Sequence, residues 1–262
     1  MHSLVKFLVF ISLYLATSVP AQASPKMDTL EVNVIGSEPS GYLTKKGEIT
    51  GFHADFFRKL GEVANLEINL QLLPFARGLR AMKRGAIDAG LLFKVKKRED
   101  FLDSITYLFD THVSAVGRKG ILPRSLSQLE HLNISRMRGV AVNEAYDHIE
   151  RKNPTIQSNN YPQLIKMLGS KHIDVAVGNF YSIWRLSQQM GLKEKIEFPG
   201  LLLAKQEVWL HFSKKSKRKH LIPRIKKALA EIKETDFIDK LFLKYYSITP
   251  KMAQDLLIEP KK

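Results

Sequence analysis

The chain is poor in the groupings that perform covalent chemistry. It contains no cysteine among its 262 residues, which removes thiol nucleophiles, disulfide frameworks and the cysteine that carries a lipid anchor. No His-x-x-x-His pair, Gly-x-Ser-x-Gly elbow or Gly-rich phosphate loop occurs. Metal-assisted hydrolysis, acyl transfer by an activated serine and phosphate cradling therefore lack their usual starting points. His53, His112, His148 and His172 are isolated from one another, and surface or helix-end positions account for them. Two carboxylates stand out, Glu38 after the first apolar segment and Glu144 after a later one. They are the groups an acid–base pair needs, yet carboxylates in a polar cleft more often hold a ligand. The expectation is binding without catalysis, with no catalytic residue, no metal and no cofactor.

Positive charge is the other chemical asset. Lys and Arg outnumber Asp and Glu by 41 to 26, a formal net charge of +15. Runs at residues 94–98 (KVKKR) and 214–219 (KKSKRK) concentrate it, followed by Arg224, Lys226 and Lys227. In a cytoplasmic chain such a balance suggests nucleic acid. Here the aromatic–basic interleaving of a nucleic-acid platform is missing, and the amino terminus directs export. Solvated helix faces explain the charge most simply. The alternative is attraction to anionic lipid, envelope glycans or an acidic ligand, which would depend on salt.

The export signal is compact. Lys6 precedes an apolar run at residues 7–19 (FLVFISLYLATSV), and Pro20-Ala21-Gln22-Ala23 puts small residues where a signal peptidase reads. The 13 residues of that run fall short of the about 20 needed to span a bilayer. Residues 1–23 are thus expected to be a cleaved signal peptide, not an anchor. Removing Lys6, the one charged residue before the cut, takes +15 to +14. A freely diffusing periplasmic monomer is the simplest fit.

The elements that position these groups follow from periodicity. Short apolar strands alternate with amphipathic helices, which implies an α/β fold. Strands are predicted over 30–35, 68–72 and 89–93, and a helix over 52–64 from Phe52, Phe56, Leu60 and Val63. A short helix is predicted over 77–84, terminated by Gly85. Leu79-x-x-Met82-x-x-x-x-Ile87-Asp88-Ala89 recurs as Ile165-x-x-Leu168-x-x-x-x-Ile173-Asp174-Val175, which suggests two similar lobes. Further strands are predicted over 139–142, 174–178 and 208–212, with a helix after Asn143 and another over 180–190. Two closing helices carry Leu221, Ile225, Leu229 and Ile232, then Phe237, Ile238, Leu241, Phe242 and Tyr245. If the last strand and helices return to the first lobe, the chain crosses between lobes twice, making a hinge. The expected division is 24–112 and 205–262 in lobe one and 113–204 in lobe two.

Gly47-x-Ile49-x-Gly51-Phe52-His53-Ala54-Asp55-Phe56 resembles the signature of the extracellular solute-binding proteins, family 3, whose usual pattern is Gly-Phe-Asp-x-Asp-aliphatic at a helix start. The helix-Gly-x-Ile-Asp-Ala unit at 77–89, Arg98 after the third strand, Leu126 and Leu129 ahead of Gly139-Val140, the second Ile-Asp unit and Lys244-Tyr245 follow in family order. The resemblance covers nearly all of the mature chain. It implies a two-lobed periplasmic-binding-protein fold of type II, two α/β lobes joined by a two-strand hinge. The ligand would be held in the cleft, and the closed form read by an ABC transporter permease or a membrane receptor.

By the same resemblance Glu38 would take a ligand amine, and Arg98 would clamp a carboxylate through paired guanidinium hydrogen bonds. Phe75 would pack on the ligand with Arg77 beside it. Tyr42 would supply a wall, and Phe93 ends the third strand. The departures are Val95 where the family has Thr, Asn143-Glu144 where it has Gly-Thr or Gly-Ser, Asn179 where an acid often stands, and His53 for the first acid of the signature. With one amine partner fewer and a carboxylate added at Glu144, the expected ligand is small and polar with a basic or hydroxyl-rich group. A charge as costly to bury as Glu144 would face donors. The alternatives are a ligand-sensing partner of a membrane receptor and a dehydratase-like enzyme, since a few relatives with this fold are periplasmic dehydratases.

Overall fold

The computed structural model describes residues 27–260 other than Gly139 and Ala141; the expected signal peptide at 1–23 lies outside the described residues. The first alternation forms β1 (Thr29–Ile35), burying Leu30, Val32 and Val34 completely. A small hairpin, β2 (Tyr42–Leu43) with β3 (Ile49–Thr50), leads into α1 (Phe52–Ala64). Gly51 makes that entry with φ 121°, and a Cβ there would lie 2.6 Å from the Ser40 carbonyl oxygen, so only glycine fits. α1 buries Phe52, Phe56, Phe57 and Leu60 along one stripe.

The first lobe continues with β4 (Glu67–Leu73), α2 (Phe75–Arg84) and β5 (Ala89–Phe93). β1 pairs in parallel with both β4 and β5. α2 begins two residues earlier than its periodicity predicts, so Phe75 opens a helix and does not close a strand. Pro74 is its N-cap, and proline suits a helix start because no N–H is lost there.

β6 (Leu102–Arg118) then runs into the second lobe, which holds β7 (Ile134–Met137), α3 (Glu144–Lys152), β8 (Ile156–Ser158), α4 (Tyr161–Gly169), β9 (Val175–Asn179) and α5 (Phe180–Gln189). β10 (Ile196–Ser213) returns to the first lobe, where α6 (Ile222–Lys233) and α7 (Phe237–Tyr246) pack. α8 (Pro250–Gln254) and β11 (Leu257–Ile258) finish the described chain. Strand order in the main sheet is β4-β1-β5-β10-β6-β9-β7-β8, with β11 against β10.

β6 and β10 are the hinge. They pair antiparallel from Leu102 opposite Ser213 to Arg118 opposite Ile196, with the register slipping at four places. Within lobe one β10 also pairs with β5, and within lobe two β6 pairs with β9. Each long strand thus belongs to both lobes. β11 takes the side of β10 in lobe two that β5 takes in lobe one, with Leu257 opposite Gly200. A third segment of chain therefore passes between the lobes.

The strand expected over 139–142 is found earlier, as β7. Residues 139 and 141 lie outside the described residues, while Val140 and Val142 fall outside any strand and pack on the lobe-two core. Ser135, fully buried in β7, masks the strand's apolar character; its hydroxyl is 2.7 Å from that of Ser158 and donates to the Ile156 carbonyl. His112 is no surface or helix-end residue but a buried member of the hinge strand β6, its Nδ1 2.9 Å from the Tyr181 hydroxyl.

Candidate functional site

Three of the candidate residues meet in the first lobe. After β5 the chain makes a short 3-10 turn at Lys96–Arg98, which turns Arg98 back over the strand end. Its Nη1 donates to the Phe93 carbonyl at 2.7 Å, and the guanidinium carbon stands 5.2 Å from the Phe75 ring centre. The cation–π contact and the backbone bond together hold the fork in one orientation. Burial disfavours the charge and lowers the Arg98 pKa, yet no carboxylate pairs with it among the described residues. A half-buried guanidinium with free N–H donors is suited to receive an anion.

Of the other first-lobe candidates, Glu38 is exposed in the turn after β1 and Arg77, like Phe75, is exposed on the first turn of α2. Tyr42 lies half-buried in β2 against the main core. Val95, where the family has threonine, is half-buried at the start of the 3-10 turn and brings no hydroxyl. His53 sits at the start of α1 with Nδ1 buried and without a partner, and burial lowers its pKa to about 4, so the ring is neutral.

The lobe-two candidates occupy helix starts. Asn143 caps α3, its Oδ1 accepting from the Tyr146 N–H at 2.8 Å while Nδ2 donates to the Leu203 carbonyl. Asn179 caps α5, Oδ1 accepting from the Ser182 N–H at 3.0 Å and Nδ2 donating to the Thr111 hydroxyl at 2.6 Å. Asn160 caps α4 in the same manner. Asparagine is among the strongest capping residues because its short side chain reaches the N3 amide. Both candidate amides are therefore engaged already, Asn143 to β10 and Asn179 to β6, and they tie the helix starts to the hinge strands. Glu144 follows the α3 cap and is exposed, where its charge is favoured by the helix dipole.

Sequence reasoning passed over Thr111, Tyr161 and Tyr181. The Tyr161 hydroxyl accepts from the Asn179 N–H at 2.9 Å. Tyr181 of α5 packs on Phe242 and Tyr246 of α7, with ring centres 5.0 and 5.6 Å apart. That aromatic contact joins the two lobes beside the hinge. The apolar spacing of α5 and α7 was visible in the sequence, but it does not say which helix an exposed-looking tyrosine meets.

The hydrogen bonds of the first-lobe group stay in the first lobe, and those of Asn143 and Asn179 stay with the hinge strands and lobe two. Two surface recesses lie elsewhere, about 410 Å³ between α1 and α7 and about 340 Å³ against β6, Lys205 and α7. Neither is lined by a candidate residue. With Glu38, Phe75, Arg77 and Glu144 exposed, the candidate surfaces stand open to solvent.

A scan of protein-family models matches residues 30–248 to the bacterial extracellular solute-binding proteins, family 3. No curated protein matches the sequence. Among solved structures, the unliganded open L-cystine solute receptor of Neisseria gonorrhoeae aligns with TM-score 0.66 and 13% identity over 86% of this chain and 95% of its own. The open substrate-binding domain 2 of Lactococcus lactis GlnP aligns with TM-score 0.67 and 15% identity over 86% and 98%. A histidine kinase sensor domain similar to periplasmic binding proteins aligns with TM-score 0.66 and 14% identity over 86% and 98%. At these identities the likeness shows the fold, the two-lobed periplasmic-binding-protein type that the hinge strands build. Among the described residues no helix is long and apolar enough to cross a membrane. The family match spans most of the sequence, and the chain belongs to the bacterial extracellular solute-binding proteins, family 3.

Proposed function

We propose that this protein is exported to the periplasm, captures a small polar ligand between its lobes by hinge closure, and presents it to an ABC transporter without altering it. The observation that carries the reading is Arg98, oriented by Phe93 and Phe75 and left without a carboxylate partner. A ligand carboxylate would complete it. Glu38, Tyr42 and Arg77 complete the first-lobe wall. Asn143, Glu144 and Asn179 face it from residues 113–204, with 24–112 and 205–262 forming the other lobe except where β11 crosses back to pair at Gly200. Glu144, exposed at a helix start, selects a ligand with a basic or hydroxyl-rich group, since opposing it to an anion would be unfavourable. The protein acts as a monomer and needs no cofactor.

A second reading makes the closed form the signal for a membrane receptor. The likeness to a histidine kinase sensor domain favours it. Both readings rest on the same capture step. Thermal-shift screening against amino acids, polyamines, sugars and organic acids tests that step. A ligand at a hundredfold over its Kd adds about 2.7 kcal/mol of stability, and recovery of the ligand unchanged separates binding from catalysis. A silent panel, or conversion of the ligand, contradicts the proposal.

A further inference from the structure

Most of the basic run at 214–219 is placed by a close approach that the sequence does not show. α2 spans from Phe75 beside the candidate site to Arg84, nine residues on, or roughly 14 Å at 1.5 Å per residue. Gly85 ends the helix with φ 79°, and a Cβ there would lie 2.7 Å from the Lys215 carbonyl oxygen. The turn after β10 is thereby pressed against the end of α2. The Ser213 hydroxyl fastens it to the Met82 carbonyl, and the Lys214 N–H bonds the Phe101 carbonyl. Lys83, Arg84, Lys214, Lys215, Lys217 and Lys219, all exposed, share this pole of the first lobe.

The acids at the pole offset little of this. Asp88 is buried and taken by Arg218 and Ser216, and Asp103 pairs with Lys219 at 3.7 Å. Glu99 and Asp100 are the acids facing solvent beside it. Lys83 and Arg84 suit a helix C-terminus. On the facing turn Lys214 Nζ donates to the Glu99 carbonyl and Lys219 pairs with Asp103, while Lys215 and Lys217 make no ion pair among the described residues, and the mutual repulsion of these lysines disfavours the compact state.

We infer that this pole is an electrostatic docking surface for an anionic lipid bilayer. Lysines dominate it, and an ammonium is a hydrated point charge without the directional fork of arginine. Such groups fit a diffuse negative surface better than a shaped acidic pocket. The patch also lies on one lobe only, at the strand ends away from Phe93 and Val208. A protein partner that reads closure must touch both lobes. This surface cannot sense closure, so it tethers the liganded and unliganded forms alike.

The test is co-sedimentation of the mature chain with vesicles of phosphatidylcholine containing 30 mol% phosphatidylglycerol, a composition on the order of natural anionic membranes. Binding is expected at about 50 mM salt, is lost at about 500 mM, and is missing with phosphatidylcholine alone. Lys214→Glu/Lys215→Glu/Lys217→Glu is expected to weaken it at least about tenfold. The lobe-two control Arg151→Glu/Lys152→Glu/Lys166→Glu changes net charge equally and is expected to stay within about threefold, with unaltered melting curves identifying both as folded. Equal loss in the control would reduce the effect to net charge and overturn the assignment. So would absence of binding at low salt, or salt-resistant binding to neutral vesicles.

Discussion

Asp88 and Asp174 make the same contacts in the two lobes. The Asp88 carboxylate accepts the N–H of Glu31 in β1, while its own N–H donates to the Glu31 carbonyl, both at 2.9 Å. The Asp174 carboxylate accepts the N–H of Asn133 just ahead of β7 at 3.0 Å, and its N–H donates to the Asn133 carbonyl at 2.8 Å. Each also holds an arginine, Arg218 at 3.0 Å and Arg118 at 2.9 Å. The repeated Ile-Asp unit is thus one device used twice: an acid at a strand start that locks the neighbouring parallel strand in register.

Removing these acids should cost stability unequally. Asp88 is 1% exposed and its loss leaves Ser216 and the Glu31 amide unpaired; Asp88→Ala is expected to cost about 3 kcal/mol. Asp174 is 17% exposed at the side chain, where water replaces the lost partner, so Asp174→Ala should cost about 1–2 kcal/mol. Urea unfolding midpoints of the two variants check the order, and a larger loss at Asp174 contradicts it.

Acid should destabilise the protein well above the carboxylate range. Burial lowers the His53 and His211 pKa values to about 4, the charges of Arg98 and Lys94 adding to the effect at His211. In the unfolded chain each imidazole titrates near 6.5, so below that pH the unfolded state binds more protons. Stability is then full above about pH 6.5 and falls progressively toward pH 4, by on the order of 1–3 kcal/mol per histidine. Denaturation at pH 7.5, 6 and 4.5 measures the slope. The variant His53→Asn/His211→Asn should flatten it, and a flat wild-type profile contradicts the account.

Gly78 of α2 is expected to tolerate no side chain. A Cβ there would stand 2.3 Å from Asn33 Nδ2, and Asn33 is buried in β1 with both amide atoms unpaired. Gly78→Ala should cost about 1–3 kcal/mol by overpacking. Asn33→Ala both frees the space and removes an unsatisfied amide, so the double variant should regain part of the loss. Additive costs in the thermal cycle would place the two residues out of contact.

Arg98→Ala should strongly weaken capture of whichever ligand the thermal screen identifies, while Arg98→Lys retains the charge but loses the paired geometry. Losses of about a hundredfold for Ala and about tenfold for Lys correspond to about 3 and 1.4 kcal/mol. Phe75→Leu keeps the bulk and removes the ring face, and should fall between wild type and Lys. Calorimetry reads all three, and an unchanged Kd for Arg98→Ala removes this residue from the site.

Local chemistry made much of this protein readable in advance. The alternation of Leu30, Val32 and Val34, the stripe of Phe52, Phe56 and Leu60, the stop at Gly85 and the Ile-Asp repeat are each decided by neighbours within one or two turns of chain. They suffice to predict an α/β protein with paired lobes. Polar residues in buried strands resisted reading. Ser135 in β7 and His112 in β6 are satisfied by Ser158 and Tyr181, 23 and 69 residues away, and nothing local announces such partners. Tertiary packing alone decided that Arg98 turns back onto Phe93 and Phe75, that Asn143 and Asn179 are spent as caps, and that Lys215 abuts Gly85. Side-chain type sets what a group is able to do, while only the folded chain sets which distant group it meets.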